Sequence, residues 1–179
     1  MRRKYQNVAL AVVLALASVP LFASNGPAPG DLSAQVRHQL LMNPYYTVFD
    51  DFGYSVDNAT GVVTLTGNVT WPVAKNDAVQ AVKHLPGVTK VIDNIQVLPL
   101  SPMDNQIRRA EYRAIFGYSD MYRYAMGAIP SIHIVVDNGH VTLTGVVNSQ
   151  ADKDVANIRA NSVPGVFSVT NNLRVAEKS

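Results

Sequence analysis

Along residues 132–147 apolar and polar side chains alternate, and the alternation breaks at Asn138-Gly139. A period of two marks strands with one buried face. Asn-Gly between two such runs is the strongest short-range hairpin signal. A two-residue turn pairs Asp137 with His140, Val136 with Val141 and Ile134 with Leu143. One face of this predicted hairpin is Ile132, Ile134, Val136, Val141 and Leu143, the core side. The other carries His133, Val135, Asp137, His140, Thr142 and Thr144, and is expected to meet solvent.

The hairpin has an earlier copy. Gly139-His140-Val141-Thr142-Leu143-Thr144-Gly145 matches Gly61-Val62-Val63-Thr64-Leu65-Thr66-Gly67, 78 positions upstream. The likeness runs on without a gap: Pro86-Gly87-Val88 matches Pro164-Gly165-Val166, and Val91, Asn94 and Val97 match Val169, Asn172 and Val175. A period this long is that of a small domain and not of a solenoid unit. The predicted class is α+β: two tandem α-β-β-α-β modules, each a three-stranded mixed sheet with helices packed on one face. Residues 32–98 form the first module and 104–176 the second. The linker, 99–103, is stiffened by Pro99 and Pro102. Modules this small bury a modest core, so the two are expected to pack on each other.

Helical spacing fills the remaining parts. Asp31 is a candidate N-cap for a helix with Leu32, Val36, Leu40 and Leu41 on one side, stopped by Asn43-Pro44. Phe52, Tyr54 and Val56 alternate as a first strand, entered through an aromatic-rich stretch. Pro72 opens a helix carrying Ala74, Ala78, Ala81, Val82 and Leu85, and Pro86-Gly87 ends it. In the second copy Ser149-x-x-Asp152 is a capping box with Asp in place of Glu or Gln.

The first residues change the charge balance. Arg2, Arg3 and Lys4 precede an unbroken apolar run at 8–17, and Pro20 stands before the small residues Ala23 and Ser24. That order predicts a signal peptide over 1–23, followed by a flexible lead over 24–31. The run over 8–22 is shorter than the roughly 20 apolar residues of a spanning helix. Of fifteen Lys and Arg, three fall in this segment, leaving twelve against thirteen acids where the full chain has net +2. A near-neutral exported chain lacks the basicity expected of a nucleic-acid binder.

The order apolar helix, Val-Thr-Leu-Thr-Gly, helix, Pro-Gly-Val, Val-x-x-Asn-x-Leu/Ile-x-Val resembles the BON domain, here in the dual, osmotically inducible, transport-associated type. The resemblance covers nearly all of residues 32–175. It implies an α-β-β-α-β module of the bacterial envelope, placed in the periplasm, without an established catalytic centre or cofactor. It also implies phospholipid binding and a part in envelope integrity under stress, as for some members. Cysteine is absent, so the N-terminal lipid attachment of the family's lipoproteins is not open to this chain.

The residue inventory agrees with a non-catalytic protein. His133 and His140 share a predicted face but stand roughly 10 Å apart along the strands, too far for one ion. His38 and His84 lie on separate helices without ligand partners at fixed spacing. No Gly-x-Ser-x-Gly and no phosphate-cradling glycine loop occurs. Asp50 and Asp51, adjacent in an extended segment, point opposite ways and are expected in a solvated loop.

Subtracting one repeat from the other leaves a candidate surface. A helix from about Asn105 places Ile107, Ala110, Ala114 and Ile115 inward. Arg108, Arg109, Tyr112, Arg113 and Phe116 then fall on its other side. Beyond it an insertion carries Tyr118, Tyr122 and Arg123. The candidate binding residues are thus Arg108, Arg109, Tyr112, Arg113, Tyr118, Tyr122 and Arg123. Arginine with tyrosine suits an anionic phospholipid surface or an envelope protein. The same residue types also fill seams between domains, and the sequence leaves both readings open.

Overall fold

The computed structural model describes residues 31–127 and 129–177. The expected signal peptide and most of the lead lie outside these residues. Module 1 runs α1 (Leu32–Leu41), β1 (Asp51–Asp57), β2 (Val62–Val69), α2 (Pro72–Lys83) and β3 (Lys90–Val97). Module 2 repeats the order with α3 (Pro102–Phe116), β4 (Ile132–Asp137), β5 (His140–Val147) and α4 (Gln150–Asn161). Its last strand is split into β6 (Ser168–Asn171) and β7 (Arg174–Val175). In each sheet the middle strand pairs antiparallel with the first and parallel with the last. The class is α+β, with two tandem modules.

The hairpin register is the predicted one, Asp137 opposite His140 and Ile134 opposite Leu143. Asn138 and Gly139 take φ of 50° and 78°, the left-handed pair that a two-residue turn requires. The glycine closing each Thr-Leu-Thr-Gly run is needed for a different reason. Gly67 and Gly145 sit at φ 116° and 117°. A Cβ there would collide with the carbonyl oxygens of Asp51 and Ser131 respectively. The sequence repeat therefore records a repeated close approach of backbone at the middle strand, which only glycine admits.

Each module has its own core. Val63, Leu65, Ala78 and Val82 are buried in the first, and their counterparts Val141, Leu143, Ala156 and Ala160 in the second. Asp31 caps α1 by accepting from Ala34 N–H at 3.0 Å, and Ser149 caps α4 by accepting from Asp152 N–H at 3.2 Å. Capping also corrects one boundary. Ser101 accepts from Asp104 N–H at 3.1 Å, so α3 starts at Pro102, inside the expected linker.

The modules pack together through the segment that leads into β1. Val48 and Phe49 of module 1 lie against the core of module 2. Ile134 N–H donates to the Val48 carbonyl at 2.8 Å. Alternate residues of β4 aim their backbone groups away from β5, and this bond takes up one of those edge donors. Both faces of β4 are consequently buried along Ile132–Val136, and the solvated outer face expected for His133 and Val135 is not found.

Candidate functional site

The seam is built from residues that a plain loop would not need. Tyr46 stacks on His133 with ring centroids 4.9 Å apart, and its hydroxyl lies 3.2 Å from His133 Nε2. His133 Nδ1 is 3.3 Å from the Thr47 carbonyl. A neutral ring with its proton on Nδ1 satisfies both contacts, donating to Thr47 and accepting from Tyr46. Burial pushes the His133 pKa down, with Asp51 and Asp50 acting in the opposite direction. At 7% exposure His133 is an interface residue, contrary to the solvated placement expected for it.

Asp50 is the second correction. Its carboxylate is fully buried and accepts four bonds. They come from Thr47 N–H (2.8 Å), Thr47 Oγ1 (2.6 Å), Thr70 N–H (2.6 Å) and Thr70 Oγ1 (2.8 Å). This carboxylate fixes the aromatic segment to the end of β2, which is why the segment is presented to module 2 in one shape. A solvated loop would leave those donors to water.

The inner face of α3 is wider and more polar than its spacing predicts. It buries Asp104, Ile107, Arg108, Glu111, Ile115 and Phe116, while Ala110 and Ala114 are only partly covered. Arg108, expected outward, is 4% exposed. Its guanidinium donates to the Val136 carbonyl at 2.6 Å and to Asn105 Oδ1 at 2.7 Å. Val136 offers its carbonyl on the free edge of β4, so a buried donor is needed there and Arg108 supplies it. Burial lowers the Arg108 pKa, against Asp104, Asp50 and Asp137. Asp104 accepts from Asn138 N–H (3.0 Å) and Gly139 N–H (2.9 Å), holding the hairpin turn. Glu111 is fully buried without a hydrogen-bond partner among the described residues, and burial pushes its pKa up to about 8.

The other expected site residues fall into two groups. Arg109 and Arg113 are exposed on α3, and no ion pair engages them among the described residues. Tyr112 lies partly exposed beside them, packed on Phe116 (4.9 Å) and edge-on to Phe49 (6.4 Å), so it belongs to both surface and seam. Tyr122 is exposed. Tyr118 sits under Arg159, whose guanidinium carbon is 4.2 Å from its ring centre. Arg123 pairs with Asp152 at 2.7 Å, and Tyr124 donates to the same carboxylate at 2.9 Å. The insertion is thus tied to α4 within module 2. Its tyrosines do not form the seam, where Tyr46, Phe49 and Tyr112 stand instead.

Beside the seam a cleft of about 220 Å³ is lined by Phe49, Trp71, Leu100, Arg108 and Arg109 among others. Trp71 and Leu100 are exposed at its rim. Neither carries a periodic signal in the sequence, because each stands alone between elements. Among the described residues no group of three or more His, Cys, Asp or Glu is placed to hold a metal ion. No described helix is long and apolar enough to cross a membrane.

The BON domain profile matches residues 30–99 and 124–177. The osmotically-inducible protein Y of Escherichia coli K12 is 29% identical over 205 aligned positions, covering 97% of each chain. Among solved structures, the C-terminal domain of CdsD, a structural protein of the Chlamydia trachomatis type III secretion system, aligns with 82% of this chain. That alignment covers 98% of the solved domain, at 14% identity and a TM-score of 0.33.

Proposed function

The chain belongs to the BON domain family, and from that premise we propose that it is an exported, non-catalytic binding protein of the bacterial envelope. It associates peripherally with anionic phospholipid and supports envelope integrity under osmotic stress. The observation that carries the lipid part is the exposed side of α3. Arg109 and Arg113 are exposed with no ion pair among the described residues, and Tyr112 lies beside them. Cations near an acidic surface each contribute on the order of 1 kcal/mol, and tyrosine suits the headgroup level. The similarity to an osmotically inducible protein along nearly the whole chain supports the stress setting. The residue inventory supports binding over catalysis.

Arg108 drops out of this surface, since it is consumed by the edge of β4. The test is sedimentation with vesicles of anionic and of neutral lipid. Arg109→Gln with Arg113→Gln should weaken binding to anionic vesicles about tenfold or more, and raised salt should do the same. Binding that ignores both salt and these substitutions overturns the lipid reading. A structural adaptor with a protein partner is the second reading, favoured by the exposed Trp71 and Leu100 at the rim of the cleft beside the seam.

A further inference from the structure

Where the modules meet, a cleft of about 510 Å³ is lined from both sides of the seam. Module 1 contributes Arg37, on the exposed side of α1, with Tyr46, Asp51 and Phe52 around the start of β1. Module 2 contributes Arg174 of β7 and Asn172 just before it. A smaller groove of about 260 Å³ shares Arg37, Tyr46, Phe52 and Arg174 with the cleft, so both arginines border both spaces. The cleft has the volume of a small-molecule site, and such sites favour the interfaces between domains.

The charges lining it say what kind of molecule fits. Neither Arg37 nor Arg174 has an ion pair among the described residues. Two cations that face one space from separate modules repel, which works against docking. One carboxylate, Asp51, lines the same space and offsets one of them. His133 lines it too, but burial depresses its pKa, so at neutral pH it adds no charge. Tyr46 stays neutral, burial holding its pKa up. Two guanidiniums against one carboxylate leave one positive charge in excess.

We infer that this cleft binds a small organic anion of single charge, a monocarboxylate with an apolar body, held between Arg37 and Arg174. The guanidinium fork matches a carboxylate, and one excess positive charge matches one negative charge. A phosphate monoester carries close to two charges at neutral pH and would set its second against Asp51. Tyr46, Phe52 and the half-buried Leu41 offer apolar contact to the body, and Asn172 adds a neutral donor. Because such a ligand touches an arginine of each module, its binding favours the docked arrangement, and docking favours binding in return. The site stands apart from Arg109 and Arg113 and does not rest on the lipid reading.

The experiment is titration of the protein with 3-phenylpropionate and with hexanoate, followed in amide NMR spectra. Saturable shifts are expected at the Phe52 and Arg174 amides, one on each side of the seam. The neutral amide 3-phenylpropionamide and the more highly charged phenyl phosphate should each bind about tenfold more weakly or worse. Arg37→Gln and Arg174→Gln should each weaken carboxylate binding about tenfold, since each removes one charged hydrogen-bond partner. Both side chains are exposed, so the fold should hold, and a thermal midpoint no lower than the parent's checks that. Asp51→Asn should raise the affinity for phenyl phosphate to near that for the carboxylates. With 3-phenylpropionate bound, the Ile134 amide should exchange more slowly, because the ligand spans the seam that Ile134 closes. Four results overturn the inference. They are no saturable shifts from either carboxylate by about 10 mM, equal binding of the amide, full binding by either Gln variant, or shifts confined to one module. Arg109→Gln with Arg113→Gln should leave the carboxylate titration unchanged. A failed titration beside intact vesicle binding therefore removes this site and leaves the lipid reading standing.

Discussion

α1 and α3 occupy the same place in the two modules and bury different things. α1 buries Leu32, Val36 and Leu40, an ordinary apolar stripe. α3 buries Ile107, Ile115 and Phe116 together with Asp104, Arg108 and Glu111. The difference follows from position in the tandem. α3 lies beside a strand edge that also receives module 1, and the groups meeting there include a hairpin turn and a free carbonyl. Polar side chains are required where backbone must be satisfied out of water. Among the described residues α1 buries only a core face. A repeat can therefore keep its core and turns while the joint between copies rewrites one helix face.

The largest expected effect tests whether the cores are equivalent. Leu65→Ala and Leu143→Ala should each cost about 2–5 kcal/mol by lost burial and a residual cavity. Thr142→Ala, off the core face, should cost under about 0.5 kcal/mol. Chemical denaturation of the three variants checks this; a cheap Leu65→Ala beside an expensive Leu143→Ala would show that the modules are not energetic copies.

Next in size is Glu111. Its folded pKa of about 8 stands above the ordinary 4.5. Between those values the native state holds the proton that the unfolded chain releases, so stability falls as pH rises from about 4.5 to 8. The effect amounts to a few kcal/mol at most. Glu111→Gln should remove this slope and stabilise the protein most at the alkaline end. Denaturation midpoints across pH give the answer, and an unaltered slope would mean that Glu111 finds a partner in solution.

How much of this was legible follows from where each signal lives. Turn chemistry and period-two alternation are local, and Asn138-Gly139 with its flanks fixed the β4–β5 register to the residue. The repeat located part of both cores: its matched Val63 with Val141 and Leu65 with Leu143 are buried, whereas its matched Val97 and Val175 are exposed. Arg108 and His133 were misplaced for a shared reason: their surroundings come from a strand edge or from the other module, and helical or strand spacing carries neither. Asp50 was misplaced because its partner Thr70 is 20 positions away and is brought to it only by the fold. Helical spacing put Arg108 outward because it counts apolar residues and not unsatisfied carbonyls. The aromatic run Tyr45-Tyr46-Thr47-Val48-Phe49 was the available clue to the seam, being too apolar for a solvated approach to β1. Of the candidate residues, Arg109 and Arg113 lie outward as helical spacing put them, and Tyr122, for which the sequence left surface and seam open, is exposed.

Smaller effects separate seam from surface. Arg108→Gln should cost about 1–3 kcal/mol by leaving the Val136 carbonyl short of a donor. Arg113→Gln should stay within about 0.5 kcal/mol. The seam also has its own pH response. His133 has its pKa depressed below 6.5 by burial, so docking of the modules is fully present above that value and weakens as pH falls through and below it. Tyr46→Ala should reduce the response, because the stack and the Nε2 contact go together. Small-angle scattering between pH 7.5 and 5 would detect the loosening; an unchanged profile would place the docking energy in Val48 and Phe49.

The central claim is that module 1 closes the strand edge of module 2 at Ile134, while at the matching place on β1 the Tyr54 amide has no such partner among the described residues. Residue-resolved amide hydrogen exchange compares the two edges in a single sample. Ile134, bonded to Val48, should exchange slowly. Tyr54 lies opposite Leu65 as Ile134 lies opposite Leu143, has no such partner among the described residues, and should exchange near the rate of an open edge. Equal protection of the two amides would contradict the account.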